Sequence, residues 1–474
     1  MSEAVTTVDR EAPDQDSRAE AAPAAARSWI ERLWSSIADR GRLFATVPSD
    51  SIPPLDRAKG LVEALLTERG EASGAAVARE VMGALRDLAP TDRAAFHLFM
   101  ATSFDPKPEP LREAALAWLA DPTPANAARL SRCSEPPRQE LLRRMNMSPG
   151  GTAALVELRR QLLHEMREVP ALKPLEEDLH HLFVSWFNRG FLQLRRIDWQ
   201  TPAAVLEKII RYEAVHEIAG WHDLRRRLAA DRRCYGFFHP SLPDEPLIFV
   251  EVALVQGLAA SVQPLLDAEG EAGAEARAAV ADTAIFYSIS NCQDGLRGIS
   301  FGNFLIKQVV EDLKAELPQL VSFSTLSPIP GFRRWLDKRM ADKAADPDLA
   351  LPLSDPDWWR DPARTEALKA PLLRFCAEYL TEPGGRMDPV ARFHLGNGAR
   401  LERINWLGNT APRGMQESYG LMVNYLYERE EIERNHEAFA RGGTVVRAGR
   451  VDALLAQPKA LPVRKDKPRT AKAS

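Results

Sequence analysis

Residues 283–335 read TAIFYSISNCQDGLRGISFGNFLIKQVVEDLKAELPQLVSFSTLSPIPGFRRW, and the succession of patterns in this stretch decides the fold. Ala284 to Ile289 is apolar, β-branched and aromatic, with the length and composition of a buried strand. A turn rich in glycine follows, with Gly295, Gly298 and Gly302. Phe304, Leu305, Val309 and Leu313 then recur at helical spacing up to Pro318. Leu320 to Thr325 is a second strand, ending in Ser327-Pro328-Ile329-Pro330-Gly331-Phe332. Strand, turn, helix and strand predict one βαβ unit, and free amides at the start of its helix can hold a phosphate. A strand-to-helix turn without a ligand has the same appearance, so the turn alone assigns no function.

Upstream of this unit, Cys234 to Phe238 and Leu247 to Leu254 read as two strands joined by the Pro-rich turn Pro240–Pro246. Helices are expected over Pro202–Val215 and Trp221–Ala230, and a surface loop over Asp267–Arg277. Downstream, residues 339–370 are polar and broken by prolines, which suggests an insertion with short helices. Arg392–Leu395, Leu401–Leu407 and Tyr419–Tyr427 then read as further strands. From about Ser28 to Gly190 the pattern is helical nearly throughout, as in the stripe Val77, Val81, Leu85, Leu88 or the run Leu175–Phe187. Residues 1–27, rich in Ala, Pro and acid, and the basic 458–474 are expected to be disordered. Periodicity therefore predicts an all-α N-terminal domain over 28–190, followed over 191–457 by a domain of α/β or α+β class.

Composition narrows the function classes. The 474-residue chain has 45% apolar and 27% charged residues, enough for a substantial core. A net charge of −4 argues against a general nucleic-acid binder. No run approaches the ~18 apolar residues of a membrane helix, and the acidic N-terminus lacks the layout of a signal peptide. Cys133, Cys234, Cys292 and Cys376 are scattered, as suits reduced thiols in the cytoplasm. Cys292 adjoins the Gly-rich turn, but as a small apolar filler it is better explained than as a nucleophile, since no His or Asp is near in sequence. The adjacent His180 and His181 face different ways on a helix, and neither they nor His216 and His222 form a metal-ligand set.

Five motifs occur in order: FYSIS (286–290), LSPIPGF (326–332), FHLGNGA (393–399), RINW (403–406) and GLMVNY (420–425). Together they resemble the malonyl-CoA decarboxylase family across roughly residues 230–430, and Arg297-x-x-Ser300-x-Gly302 resembles the acyl-CoA pyrophosphate loop of the GNAT acyltransferase fold. The resemblance implies a GNAT-like mixed α/β catalytic domain that decarboxylates malonyl-CoA to acetyl-CoA and carbon dioxide. Other readings on the same scaffold are CoA-dependent acyl transfer and a non-catalytic acyl-CoA sensor. No metal or organic cofactor is expected, because the thioester carbonyl is itself an electron sink. The implied substrate site is Arg297, Gly298, Ile299, Ser300, Phe301, Gly302 and Asn303, with Ser327 and His394. Ser300 stands where the family can carry Glu.

Three roles are expected. The glycines at 298 and 302 let the backbone approach the CoA phosphates, and Arg297 adds a charge-assisted contact. Ser327, held by Pro328 and Pro330, donates a hydrogen bond to the developing enolate; there is no G-x-S-x-G elbow to make it a hydrolase nucleophile. His394, whose imidazole ordinarily titrates near neutrality, donates the proton to C2 and is reloaded from solvent. Tyr425 and Tyr427, two apart on a strand, share a face, and the resemblance places Tyr427 at the site border. A homo-oligomer formed through the helical domain is the expected assembly.

Overall fold

The structure is a computed structural model that describes residues 52–67, 71–267, 273–299, 301, 305–342, 353, 355–382 and 387–456. The segments expected to be disordered, 1–27 and 458–474, lie outside these residues, as do Ser300, Gly302, Asn303 and Phe304. The chain forms two compact units, Met1–Phe96 and His97–Ser474. In the first, the helices Pro54–Thr67 and Glu71–Asp87 bury Ala58, Leu61, Val62 and Leu65, and Val77 and Val81, respectively.

The second unit opens with helices that start on proline: Pro108–Ala120, Pro124–Ser134 and Pro137–Asn146. Proline suits the first helical position because its missing N–H would have no partner there. Thr123 adds a side-chain cap, accepting from Asn126 N at 3.4 Å. Gly151–Glu165 and Lys173–Trp186 complete the helical region.

A seven-stranded sheet follows, in the order β1-β2-β3-β4-β5-β7-β6. Its strands are β1 (Gln193–Ile197), β2 (Arg232–His239), β3 (Leu242–Val255), β4 (Thr283–Asn291), β5 (Ser322–Thr325), β6 (Arg400–Asn405) and β7 (Met422–Leu426). Strands β1 to β4 form an antiparallel meander, and β4 pairs with β5 in parallel. The helix Leu305–Glu316 provides the crossover, so the expected βαβ unit is present. It buries Leu305, Val309 and Leu313. The central β3 and β4 are buried along nearly their whole length, which accounts for their continuous apolar runs. The parallel ladder has only four rungs, from Thr283↔Ser322 to Phe286↔Thr325, after which β4 runs on to Asn291 without β5. A bulge in the β3–β4 pairing at Glu251/Val252 accompanies this fork. The result is a helical region followed by a mixed α/β domain built on one sheet.

Several local expectations are corrected. Arg392–Leu395 is not a strand; it lies in the helix Pro389–Gly396, whose start is set by Pro389 and by Asp388 accepting from Val390 N and Ala391 N. The hairpin turns at Pro240-Ser241 alone, and β3 already begins at Leu242, the excess residues being taken up by register shifts near Phe238. Ala274–Val280, partly assigned to a loop, is a short helix that follows Gly273 at φ 75°. Tyr419 precedes the strand and has φ 53°, so β7 starts only at Met422. Of the expected insertion 339–370, residues 343–352 and 354 lie outside the described residues, and 362–370 belong to the 20-residue helix Pro362–Thr381, longer than the short helices expected. The polar strand β1 lacks the apolar alternation that would have revealed it.

Candidate active site

The end of β5 and the Ser327 loop face β7. Ser327 forms a single bridge to Val423, donating its N–H to Val423 O at 2.8 Å and accepting from Val423 N at 2.9 Å. This places the Ser327 hydroxyl 3.0 Å from His394 Nε2. His394 projects from the helix Pro389–Gly396, and its Nδ1 is 2.8 Å from the Tyr427 hydroxyl, just beyond the end of β7. The imidazole also stacks on Tyr425, with centroids 4.8 Å apart. The expected common face of Tyr425 and Tyr427 is thus occupied by one histidine. Ser327, His394 and Tyr427 are all buried, at 5%, 3% and 2% exposure, so the contacts form in a low-dielectric setting.

Hydrogen-bond accounting gives this chain a direction. The Ser327 hydroxyl donates to Thr325 Oγ1 at 2.9 Å, so its oxygen accepts from His394. That places the imidazole proton on Nε2 and leaves Nδ1 to accept from the Tyr427 phenol. The order is Tyr427 to His394 to Ser327 to Thr325. Thr325 is itself held in place by Tyr425 N, which donates to its oxygen at 3.1 Å.

Burial changes the expected chemistry of His394. It pushes the imidazole down to about 3, so the ring is neutral at physiological pH. The expectation of an imidazole that titrates near neutrality is therefore corrected. Burial raises the Tyr427 phenol well above its ordinary value, so it too stays protonated. Tyr427 lines an open cavity of about 770 Å³ together with Lys307, Glu428 and Glu431.

The phosphate-loop residues divide. Arg297, Gly298, Ile299 and Phe301 are described, whereas Ser300, Gly302 and Asn303 lie outside the described residues. Gly298 has φ 81°, a conformation that favours glycine. The Arg297 side chain is exposed and pairs with Asp294 at 2.9 Å. Ile299 and Phe301 are buried. Gly295 serves packing: a Cβ there would sit 2.0 Å from Val156 O on the helix Gly151–Glu165. That helix also sends buried Arg159 to the turn, where Nη1 donates to Gly295 O at 2.7 Å and Arg297 O at 2.9 Å. Glu176 orients the guanidinium, accepting from Nε at 3.0 Å and Nη2 at 2.7 Å. Cys292 is buried in an apolar cluster with Phe249 and Cys234, and its thiol is pushed up by burial, as suits a filler.

Sequence reasoning missed Arg159 and Thr325. Arg159 sits in a helix of ordinary amphipathic pattern, and only the fold brings it to a turn more than a hundred residues away. Thr325 could have been found as the same-face neighbour of Ser327 two positions on.

The helical region and the sheet domain each match a family model: the malonyl-CoA decarboxylase N-terminal domain over residues 104–187 and its C-terminal domain over 190–465. Goose (Anser anser anser) mitochondrial malonyl-CoA decarboxylase is 39% identical over 336 residues, covering 64% of this chain and 66% of that protein. The mouse (Mus musculus) counterpart is 38% identical over 339 residues, covering 65% and 69%. The alignments thus span about two thirds of these relatives. The crystal structure of malonyl-CoA decarboxylase from Rhodopseudomonas palustris is 50% identical, with TM-score 0.79 over 84% of this chain and 99% of that one. The structure from Agrobacterium vitis is 49% identical, with TM-score 0.77 over 84% and 100%. With both domains matched in sequence and in architecture, the chain belongs to the malonyl-CoA decarboxylase family.

Proposed function

We propose that this protein decarboxylates malonyl-CoA to acetyl-CoA and carbon dioxide, with Ser327, His394 and Tyr427 as its catalytic groups. The observation that carries the reading is the buried, directional chain Tyr427–His394–Ser327 beside the sheet fork, in a chain of this family. Breaking the C2–carboxylate bond leaves its electron pair on C2, delocalised into the thioester carbonyl. Ser327 donates a hydrogen bond to the oxygen that gains charge, in place of its bond to Thr325. His394 acts as a neutral donor. Its Nε2 proton passes to C2 as Nδ1 takes the Tyr427 proton, and an imidazolium never forms. After the product leaves, the Nδ1 proton returns to the Tyr427 oxygen while Nε2 takes a proton from solvent entering the vacated site, which restores the starting tautomer; each turnover thus consumes one proton and releases one carbon dioxide.

The substrate's CoA end is assigned to the turn Arg297–Asn303 and the start of the following helix. Gly298 and the anchoring of the turn by Arg159 support this assignment. No cofactor enters the scheme, since the thioester accepts the electron pair; turnover should therefore persist after exhaustive chelation. Four free cysteines support a reducing compartment such as the cytoplasm. The exposed Leu116 and Leu119 of the helical region support self-association through it, which sedimentation would measure. Incubating the purified protein with malonyl-CoA alone tests the reading. Acetyl-CoA should accumulate; stoichiometric binding without consumption, or turnover only when an amine acceptor is added, would refute it.

A further inference from the structure

Ser327 and His394 come from segments 67 residues apart in the chain, and their 3.0 Å contact needs both segments held in register. One buried side chain touches both. Asp388, 1% exposed, accepts through Oδ1 from Val390 N at 2.9 Å and Ala391 N at 3.2 Å, capping the helix that carries His394. Its other oxygen, Oδ2, accepts from Gly331 N at 3.1 Å, at the end of the Ser327 loop. Tyr379, from the helix Pro362–Thr381, donates its hydroxyl to the same Oδ2 at 3.3 Å. Tyr379 is in turn held by Trp335 and Phe332, at centroid distances of 5.3 and 5.9 Å.

We propose that Asp388 is a positioning residue for the decarboxylation reaction, locking the Ser327 loop to the His394 helix so that the hydroxyl and the imidazole meet. Three observations support the assignment. Between the clamp and Ser327 lie only Pro328, Ile329 and Pro330, whose prolines restrict φ, so a displacement of Gly331 is passed on to Ser327. Between the clamp and His394 lie less than two turns of helix, which moves as a rigid unit. Finally, a carboxylate is a costly way to cap a buried helix, since Ser, Thr or Asn caps as well without a charge to desolvate. The four donors on Asp388 are three backbone N–H groups and a phenol, none of them a cation. The second acceptor oxygen, turned to Gly331, is what a smaller capping residue lacks. Gly331 is matched to this contact: a Cβ there would lie 2.1 Å from the Tyr379 hydroxyl.

The inference rests on the proposed decarboxylation, and the test separates the two. In Asp388→Asn the amide oxygen keeps the cap, but the amide nitrogen meets the Gly331 N–H donor to donor. The Asn variant should lose at least about tenfold in kcat, with KM and the Kd for CoA within about twofold of wild type. The ¹⁵N resonances of His394, assigned by difference with His394→Asn, should report loss of the Nε2–H contact to Ser327. Tyr379→Phe, which deletes only the phenolic oxygen, should reduce kcat several-fold in the same pattern and serves if the Asn variant fails to fold. Unchanged kcat and unchanged ¹⁵N shifts would overturn the proposal, as would a kcat loss matched by equal losses in CoA affinity and thermal stability. If wild type makes no acetyl-CoA, the decarboxylase reading fails, while the ¹⁵N shifts still decide whether Asp388 sets the Ser327–His394 contact.

Discussion

A histidine buried among Tyr425, Tyr427 and Ser327 differs from one in solution: both ring nitrogens are hydrogen-bonded within the protein and its charge is suppressed. His394→Asn removes the transferable proton while leaving a polar group of modest size. Turnover should fall on the order of 10²–10⁴-fold, with CoA affinity little changed, in single-turnover and calorimetric measurements. Ser327→Ala should cost on the order of 10²–10³-fold, and the two losses should not multiply in the double mutant because both groups serve one transition state. The neutral imidazole also has a consequence for stability. The folded-state value of about 3 lies below the ordinary 6.5, so between these limits the unfolded chain binds a proton that the folded chain refuses. Stability is therefore full above about pH 6.5 and is lost as pH falls toward 3, by on the order of 3–5 kcal/mol. His216, pushed down to about 4 by burial and by Arg227, acts in the same direction. Urea midpoints between pH 7 and 4 should fall less steeply for His394→Asn than for wild type.

Among the elements, the turn Asp294–Leu296 links the helical region to the candidate phosphate loop. Arg159 holds it by two carbonyls, and Glu176 holds Arg159. Arg159→Ala leaves those carbonyls unpaired and Glu176 without its cation, a loss on the order of 3–5 kcal/mol for a buried pair. The KM for the CoA thioester should rise well beyond any change in kcat, because the reacting groups are on other elements. Equal KM values in the two proteins would separate the turn from CoA binding. The sequence made the βαβ unit legible because a fully buried strand and an amphipathic helix have distinct periods. It concealed the helix of His394, since Asp388-Pro389 is a strong start signal in front of only eight residues. It concealed β1 for the opposite reason, because Gln193, Arg195 and Arg196 on an edge need no apolar pattern.

At the scale of the molecule, family resemblance in the sequence already pointed to Ser327, His394 and Tyr427, and the structure brings their side chains into contact. Local pattern could not supply the joining of distant segments: Arg159 with Gly295, or Thr325 with Tyr425, depends on the closed fold. A fragment of residues 190–465 would keep every strand but lose the helix that supports the turn. Such a fragment should melt at a lower temperature than the full chain and bind CoA more weakly, in calorimetry of both proteins.

The fork between β4 and β5 has one more consequence. Past Phe286 and Thr325 the two strands share no further rungs, and the last backbone bond between the segments runs from Leu326 N to Phe286 O. Among the described residues, β4 from Tyr287 to Asn291 is zipped to a strand on one side only, that of β3. An extended, amide-bearing molecule laid along that side could complete the zip as a visiting strand, so the sheet would be finished by its ligand. Hydrogen exchange would record the visit as amides slowed beyond Phe286 and unchanged before it.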